Sequence, residues 1–197
     1  MTIDEGYIKY VSDWTPGPAP DTAATSLLDT WRRPLYEAGL IGHYDDLDVG
    51  YGNISVRHGK QFIISATQTG HLAVTDASHY ALVTGYDMEQ NRVSSTGPAR
   101  ASSETLTHAA IYELDDGINA VVHVHSAELW RRLKDKVPTT AADISYGTPQ
   151  MAREFARLYA ETDFGVRGIA VMAGHDEGIV TTGATLEEAA TRALQLL

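Results

Sequence analysis

The sequence predicts an α/β fold in which helices flank a mixed, largely antiparallel sheet. Three observations support this prediction. Stretches of helical and of strand periodicity interleave along the chain. The first two strands are separated only by the turn His58–Lys60, as in a hairpin rather than a parallel crossover. The chain has 197 residues, 43% of them hydrophobic, which suffices for one domain with a sizeable core.

The N-terminal region is predicted as an arm, residues 1–20, followed by a single domain, residues 21–197. The arm is rich in proline and glycine, which favours an extended segment. A helix is expected next, and Pro34 should kink or end it. Its apolar residues recur at helical spacing, namely Leu27, Leu28, Trp31 and Leu35.

Paired strands are predicted between Gly50 and Thr69. Residues Tyr51–Arg57 alternate polar and apolar side chains, and Gln61–Ser65 returns after the turn. The next turn, Ala66–Gly70, carries hydroxyl groups and ends in glycine. Such a turn can present N–H and hydroxyl groups to an anion. On composition alone, a plain turn at the end of a strand is the favoured interpretation.

The second half of the chain alternates further strands with amphipathic helices. The helices are predicted near 102–114, near 127–136, from Pro149 onward and after a cap at Thr185. The strands are predicted at Tyr80–Thr84, Arg92–Ser95, Val121–His125 and Gly168–Met172. We see no internal repeat or linker, which agrees with a single domain.

The stretch from Ser102 to His125 carries the strongest chemical signal. His123 and His125 are two residues apart in an apolar strand, so their side chains point to the same face. Together they form half of a metal site, because histidine is the commonest metal ligand. Two alternatives stay open. The histidines can be hydrogen-bonded core residues, and Ser102-Ser103-Glu104 can be a helix cap with an acid that compensates the helix dipole.

His175 offers a third imidazole just beyond the end of a short apolar strand. Sites in α/β proteins gather at strand ends. Three neutral imidazoles with an open fourth position form a catalytic zinc pattern. Glu104 would then be a fourth, displaceable ligand or the general base.

The composition excludes several classes of function. The net charge is -11 and the pI about 5.0, which disfavours nucleic acid and anionic membranes as partners. The chain has no cysteine, so disulfides, thiolate metal sites and a cysteine nucleophile are ruled out. We see no signal peptide and no membrane-spanning stretch, and therefore expect a cytoplasmic protein.

Six motifs together resemble the class II aldolase/adducin family. They occur in the family's order between about Leu27 and the C-terminus. The family includes fuculose-phosphate and rhamnulose-phosphate aldolases, ribulose-phosphate 4-epimerase and methylthioribulose-phosphate dehydratase. The matching segments are Gly52–Arg57, Thr67–Gly70, Ser102–Glu104, His123–Ser126, Tyr146–Thr148 and Gly174-His175 before Gly183.

The resemblance implies a three-layer α/β/α fold and a metal-dependent lyase. Such an enzyme cleaves or forms a carbon–carbon bond in a small sugar or hydroxy-carbonyl compound, preferably phosphorylated, through a metal-stabilised enediolate. His123, His125 and His175 would hold a divalent metal, most often Zn²⁺, and Glu104 would be the acid/base. The residues implied to bind the substrate phosphate are Asn53, Thr69, Gly70, Ser102 and Ser103. The family forms homotetramers with the active sites between subunits.

Some features depart from the family pattern. Ala101 replaces the usual proline, and Asp176-Glu177 replaces a glycine-rich segment. These two acids could orient a ligand histidine, or they could change the charge that the site prefers in its substrate. Because the sequence ends at Leu197, we expect no tail of the kind that carries a catalytic tyrosine in related enzymes. Tyr146 and Asp143 lie in a loop that could approach the site.

Four alternatives to the lyase stay open. They are an epimerase, a dehydratase, a decarboxylase and a non-catalytic module like the adducin head.

Overall fold

The structure, a computed structural model, describes residues 7–197, so the part of the predicted arm before Tyr7 lies outside it. Ten strands are described. They are β1 (Val11–Pro16), β2 (Gly42–Tyr44), β3 (Val49–Tyr51), β4 (Asn53–His58), β5 (Gln61–Ser65), β6 (Tyr80–Asp87), β7 (Arg92–Gly97), β8 (Ala120–His125), β9 (Ile169–Val171) and β10 (Gly178–Gly183).

Eight of these strands form one sheet in the order β1-β7-β6-β5-β4-β8-β10-β9. Its neighbours pair antiparallel except for β1 and β7, which are parallel. Strands β2 and β3 form a separate hairpin. The predicted mixed, largely antiparallel sheet is therefore confirmed.

Helices cover both faces of the sheet. They are α1 (Thr22–Glu37), α2 (Thr105–Leu114), α3 (Ala127–Leu133), α4 (Pro149–Glu161), α5 (Phe164–Arg167) and α6 (Leu186–Leu194). Helices α2, α4 and α5 share one core with one face of the sheet, and α1, α3 and α6 share a second core with the other face. The three-layer α/β/α arrangement is thus confirmed. None of the helices in residues 7–197 is long and apolar enough to cross a membrane.

Strand β8 takes part in both cores because its side chains alternate between the two faces. Val121 packs in the core that contains α2, whereas Val122 and Val124 pack in the core that contains α1. By the same alternation, the odd-numbered His123 and His125 face the α2 layer. The local pattern of the sequence therefore decides which layer receives the two imidazoles.

Part of the predicted N-terminal arm belongs to the sheet. Strand β1 adds to its edge beside β7, and the Trp14 indole N–H donates to the Gly97 carbonyl, 3.1 Å away. The preceding residue Tyr10 is buried, and its hydroxyl lies 3.1 Å from the Ala101 carbonyl and 2.9 Å from the Ser102 carbonyl. The arm therefore reaches the loop before α2.

Helix α1 continues through Pro34 to Glu37, so the proline does not end the helix. A proline at this position removes one backbone hydrogen bond. Leu28 and Leu35 are fully buried on either side of this turn, and their packing holds the helix together. The helix ends at Ala38, where Gly39 takes a left-handed conformation.

A tight turn follows β9 and leads to His175. The His175 N–H donates to the Met172 carbonyl, 3.1 Å away, and the Ala173 N–H to the Thr140 hydroxyl, 2.9 Å away. Gly174 packs directly on the backbone of Ile144, so a Cβ at this position would overlap the Ile144 carbonyl. The absence of a side chain at Gly174 lets the turn approach this loop.

We expect Gly174→Ala to lower the free energy of unfolding by about 2 kcal/mol or more, because the new methyl meets backbone rather than a movable side chain. Urea unfolding measures this. The control is Gly85→Ala in β6, where the nearest atom to an added Cβ is 3.9 Å away. Equal stabilities of the two variants would contradict the predicted overlap.

Candidate metal centre

The strand pairing fixes the positions of His123 and His125. Within the sheet, His123 lies between Asn53 of β4 and Val180 of β10, and His125 lies opposite Gly178. The strand is held by hydrogen bonds on both edges and cannot slide without breaking both ladders. The two imidazoles therefore stand on a rigid support in the middle of the sheet.

Three imidazoles and one carboxylate converge above this part of the sheet. The Nε2 atoms of His123 and His125 are 2.9 Å apart. The possible ligand nitrogens of His123, His125 and His175 all lie within 4.8 Å of one another. One oxygen of Glu104 lies 3.2 Å from Nε2 of His123, and the other lies 3.8 Å from Nε2 of His175. The four side chains nominated from the sequence thus meet at one place.

Burial keeps the imidazoles neutral. Burial lowers the pKa of His123 to about 3, and the Ile179 carbonyl opposes this only in part. For His125, burial and then the nearby His123 and His175 hold the pKa well below its usual value. For His175, burial and then His123 and Lys9 hold the pKa well below its usual value as well. Neutral imidazoles are the form that binds a metal.

The hydrogen bonding of His123 directs a lone pair into the cluster. Its Nδ1 lies 3.2 Å from the Ile179 carbonyl oxygen. A carbonyl can only accept, so Nδ1 carries the proton and Nε2 offers its lone pair. Three buried nitrogens beside a carboxylate form a donor set that fits zinc and other divalent transition metals. We conclude that these residues suit a metal ion of this class.

Helix α2 begins beside this cluster. It starts at Thr105, three residues later than the predicted start, and Glu104 is the N-cap residue. The Ser102 N–H donates to the Ser65 carbonyl, 3.1 Å away, which ties this loop to the end of β5. The loop therefore holds Ser102, Ser103 and Glu104 in fixed positions, all of them buried.

A polar cavity opens next to the same loop. All five residues that the resemblance assigned to phosphate binding lie in its wall. The lining consists of Gly50, Gly52, Asn53, Ala66, Thr67, Gln68, Thr69, Gly70, Ser102 and Ser103.

The Thr67–Gly70 turn can supply backbone donors to this cavity. Gln68 has a left-handed φ of 60°, and within residues 7–197 no hydrogen bond is formed by the N–H groups of Gln68, Thr69 or Gly70. Successive free N–H groups in such a turn form an anion-binding concavity. The Thr69 hydroxyl donates to the Ala66 carbonyl, 2.9 Å away, so an anion would meet N–H groups here rather than this hydroxyl.

Arg32 sets the orientation of this turn and was missed from the sequence. Its side chain is 1% exposed, and it donates to the Thr69 carbonyl at 2.8 Å and to the Leu72 carbonyl at 2.7 Å. In a trans peptide the N–H points opposite to the C=O, so the Gly70 N–H points away from Arg32. A signal existed: Leu28, Arg32 and Leu35 share the apolar stripe of α1, where a charge is unexpected.

Tyr146 approaches the cluster as its position in the sequence suggested. Its ring centroid lies 4.4 Å from that of His175. Its hydroxyl lies 3.2 Å from the Tyr7 backbone N–H, and Nζ of Lys9 lies 3.8 Å from its ring centroid. Asp143 is exposed to solvent. Nothing in the sequence indicated that Lys9, from the predicted arm, would lie so close to the site.

The two acids after His175 have different surroundings. Asp176 is exposed, whereas Glu177 accepts a hydrogen bond from the Tyr44 hydroxyl at 2.6 Å. The Tyr44 hydroxyl also lies 3.2 Å from Nδ1 of His125. Glu177 therefore connects to His125 through Tyr44, a residue that the sequence analysis did not single out.

The family was identified by comparison with known proteins. The family described as "Class II Aldolase and Adducin N-terminal domain" matches residues 35–196. The chain belongs to this family. The resemblance inferred from the six motifs is thereby confirmed.

Several solved structures of aldolases share the fold. An L-fuculose 1-phosphate aldolase is 18% identical, with a TM-score of 0.66 over 90% of this chain and 84% of that chain. The L-fuculose-1-phosphate aldolase of Thermus thermophilus is 21% identical, with a TM-score of 0.62 over 89% and 88%. A sugar-phosphate aldolase of Thermotoga maritima is 16% identical, with a TM-score of 0.66 over 88% and 90%. At these identities the likeness shows the common fold alone.

A fourth buried histidine, His108 of α2, lies near the cluster. Nδ1 of His108 lies 2.7 Å from the Ser55 hydroxyl, which lies 2.7 Å from the Tyr112 hydroxyl. Burial, followed by the nearby His123, lowers the pKa of His108 well below 6.5. The folded state thus keeps this imidazole neutral, whereas the unfolded chain protonates it below a pH of about 6.5.

Acid should therefore destabilise the metal-free protein. Groups with a lowered pKa in the folded state contribute stability that is complete above a pH of about 6.5 and is lost as the pH falls toward the folded pKa. Each such histidine adds a slope of up to about 1.4 kcal/mol per pH unit. We expect His108→Gln to remove one of these contributions, as measured by urea unfolding between pH 7.5 and pH 5.

The matched control for this measurement is His58→Gln, since His58 is exposed to solvent. This variant should keep the wild-type dependence on pH. The neutral state assigned to His108 would be wrong if His108→Gln and His58→Gln lost stability in parallel on acidification.

Proposed function

We propose that the protein is a metal-dependent lyase that cleaves or forms a carbon–carbon bond next to a carbonyl group. The substrate is a small sugar or hydroxy-carbonyl compound, preferably phosphorylated. One observation carries the proposal: the buried nitrogens of His123, His125 and His175 lie within 4.8 Å of one another, with the Glu104 carboxylate beside them. Burying four polar groups together costs free energy, and such clusters of ionisable groups are typical of functional sites.

The three histidines would hold the metal and Glu104 would move the proton. When bound, the metal supplies a Lewis acid that stabilises negative charge developing on the substrate carbonyl. In cleavage, the Glu104 carboxylate would take the proton of the hydroxyl group, the carbon that bears this oxygen would become a carbonyl as its bond to the α carbon breaks, and the electron pair of that bond would stay on the α carbon. Glu104 lies at the start of α2 beside the cluster, where it would return a proton to the α carbon.

The polar cavity supports a phosphorylated substrate. Ser102 and Ser103 line it and are adjacent in sequence to Glu104, so an anion held there would lie close to the reacting carbon. The Gly70 N–H, oriented through Arg32, and the Asn53 amide add polar groups to the wall. The buried charge of Arg32 also favours an anion nearby, since its field is less screened than that of a surface arginine.

Zinc is the metal that we propose, since three histidines with an open position are typical of catalytic zinc. Family membership leads us to propose two further features. One is a homotetramer with the active sites between subunits, and the other is a role in sugar metabolism in the cytoplasm. Neither enters the argument for the reaction, which depends only on residues of one chain.

The first test compares Glu104→Gln with the wild type, both loaded with zinc, on a panel of phosphorylated ketoses. We expect wild type to bind about one zinc ion per chain and Glu104→Gln to lose about 100-fold or more in kcat, because general acid–base catalysis contributes this much. Product masses show the reaction: cleavage gives two fragments, epimerisation keeps the mass, and dehydration or decarboxylation loses water or carbon dioxide.

The control is Glu113→Gln, an exposed residue on the same helix α2. It should turn over substrate like the wild type. A wild-type protein that takes up no metal, or a Glu104→Gln variant with full activity, would refute the lyase and favour a non-catalytic module.

The second test addresses the phosphate. Arg32→Met should weaken inhibition by inorganic phosphate about 10-fold, equivalent to about 1.4 kcal/mol, because the Thr69 carbonyl loses the donor that orients its peptide. Arg32→Lys keeps the positive charge but loses the two-pronged contact with the turn. This variant therefore separates the effect of the charge on phosphate inhibition from the effect of the orientation of the turn. Zinc affinity should not change in either variant.

Arg33→Met is the matched control, because Arg33 neighbours Arg32 in α1 but is exposed and pairs with Glu37 at 2.9 Å. Phosphate inhibition should be the same in this variant as in the wild type. An equal effect of Arg32→Met and Arg33→Met would argue against the proposed anion cavity.

A further inference from the structure

The β2–β3 hairpin lies beside His125 although it is not part of the main sheet. The ring centroids of Tyr44 and His125 are 6.3 Å apart, and those of Tyr51 and His125 are 5.5 Å apart. The two tyrosine rings pack on each other with centroids 4.4 Å apart. The hairpin thus contributes two aromatic residues next to one of the three histidines.

The two tyrosines of the hairpin direct their hydroxyls differently. The Tyr44 hydroxyl lies 3.2 Å from Nδ1 of His125 and 2.6 Å from Oε2 of Glu177. The Tyr51 hydroxyl instead donates to the Gly39 carbonyl, 3.3 Å away. Tyr44 therefore joins His125 to a carboxylate, whereas Tyr51 does not.

The number of protons decides the direction of these hydrogen bonds. An ionised carboxylate can only accept, so the single hydroxyl proton of Tyr44 goes to Glu177. The Tyr44 oxygen is then an acceptor toward His125, and Nδ1 of His125 must carry a proton. In a neutral imidazole this leaves the lone pair on Nε2, which is the atom 2.9 Å from Nε2 of His123.

Glu177 is held in place by its backbone. It adopts a left-handed φ of 68°, which is uncommon for a residue other than glycine. Its carbonyl accepts a hydrogen bond from the Ser126 N–H at 3.0 Å, directly after His125. The turn from His175 to Gly178 therefore fixes the carboxylate at the right place to reach Tyr44.

We propose that Tyr44 and Glu177 act as a positioning relay that holds His125 in the tautomer with its Nε2 lone pair directed at the metal. This inference rests on the metal site of the proposed function. His123 is oriented by a backbone carbonyl, which no side-chain substitution removes, whereas Nδ1 of His125 contacts a side-chain hydroxyl that a substitution can remove. Partners of this kind typically change metal affinity 10- to 100-fold.

Zinc affinity of the full chain, measured by competition with a chromophoric chelator, tests the relay. We expect Tyr44→Phe and Glu177→Met each to raise the Kd for zinc about 10-fold or more. The double variant should bind like the weaker single variant, since residues that act as a unit are not additive. Tyr51→Phe, the matched control on the same hairpin, should stay within about 2-fold of the wild type.

A second measurement distinguishes positioning from a general loss of structure. In the zinc-loaded wild type, the Nδ1 protons of His123 and His125 should both give slowly exchanging imidazole signals in NMR. In Tyr44→Phe we expect the His125 signal to disappear through exchange with water, while the His123 signal, bonded to the Ile179 carbonyl, persists. Loss of both signals would mean general unfolding and would overturn the relay.

Two further results would also overturn the relay while leaving the metal site intact. One is a Kd for zinc that equals the wild-type value in either single variant. The other is a double variant in which the increase in Kd is the product of the increases in the two single variants. A wild-type protein that binds no zinc would instead refute the metal site itself. The two failures are therefore distinguishable.

Discussion

The position of strand β8 between β4 and β10 is the constraint on which the rest of the site depends. A strand paired on both edges cannot change its register without losing two ladders of hydrogen bonds. The imidazoles of His123 and His125 therefore stay in the α2 layer, 0% and 2% exposed respectively. Burial keeps these imidazoles neutral, which is the form that can bind a metal. The packing that stabilises the sheet thus also holds the two imidazoles in place and keeps them neutral.

The start of α2 connects the histidine cluster to the polar cavity. Ser102 and Ser103 line the cavity, and the next residue, Glu104, lies beside the histidines. Tyr10 and the end of β5 hold this loop from two sides. The spacing between the polar cavity and the Glu104 carboxylate is therefore set by consecutive residues of one segment.

Elements outside the central strands orient the groups around the site. Arg32, from α1, holds the turn that lines the cavity, and Tyr44, from the hairpin, contacts His125. Lys9 and Tyr146 lie on the side of His175. Relatives with 16–21% identity share the fold, so the fold tolerates extensive change in sequence. Peripheral contacts of this kind are places where proteins on one scaffold can differ.

The sequence by itself determined the fold class, the family and the residues that meet at the centre. Alternation in β8 placed two histidines on one face, and the order of short motifs identified the family. These features are local, because spacing within one strand or turn decides them. Tertiary structure alone decided what the arm does, where Arg32 donates and what Tyr44 contacts. These contacts join residues 37 to 139 positions apart, and no local pattern encodes which distant atoms a long side chain will reach once the layers have packed.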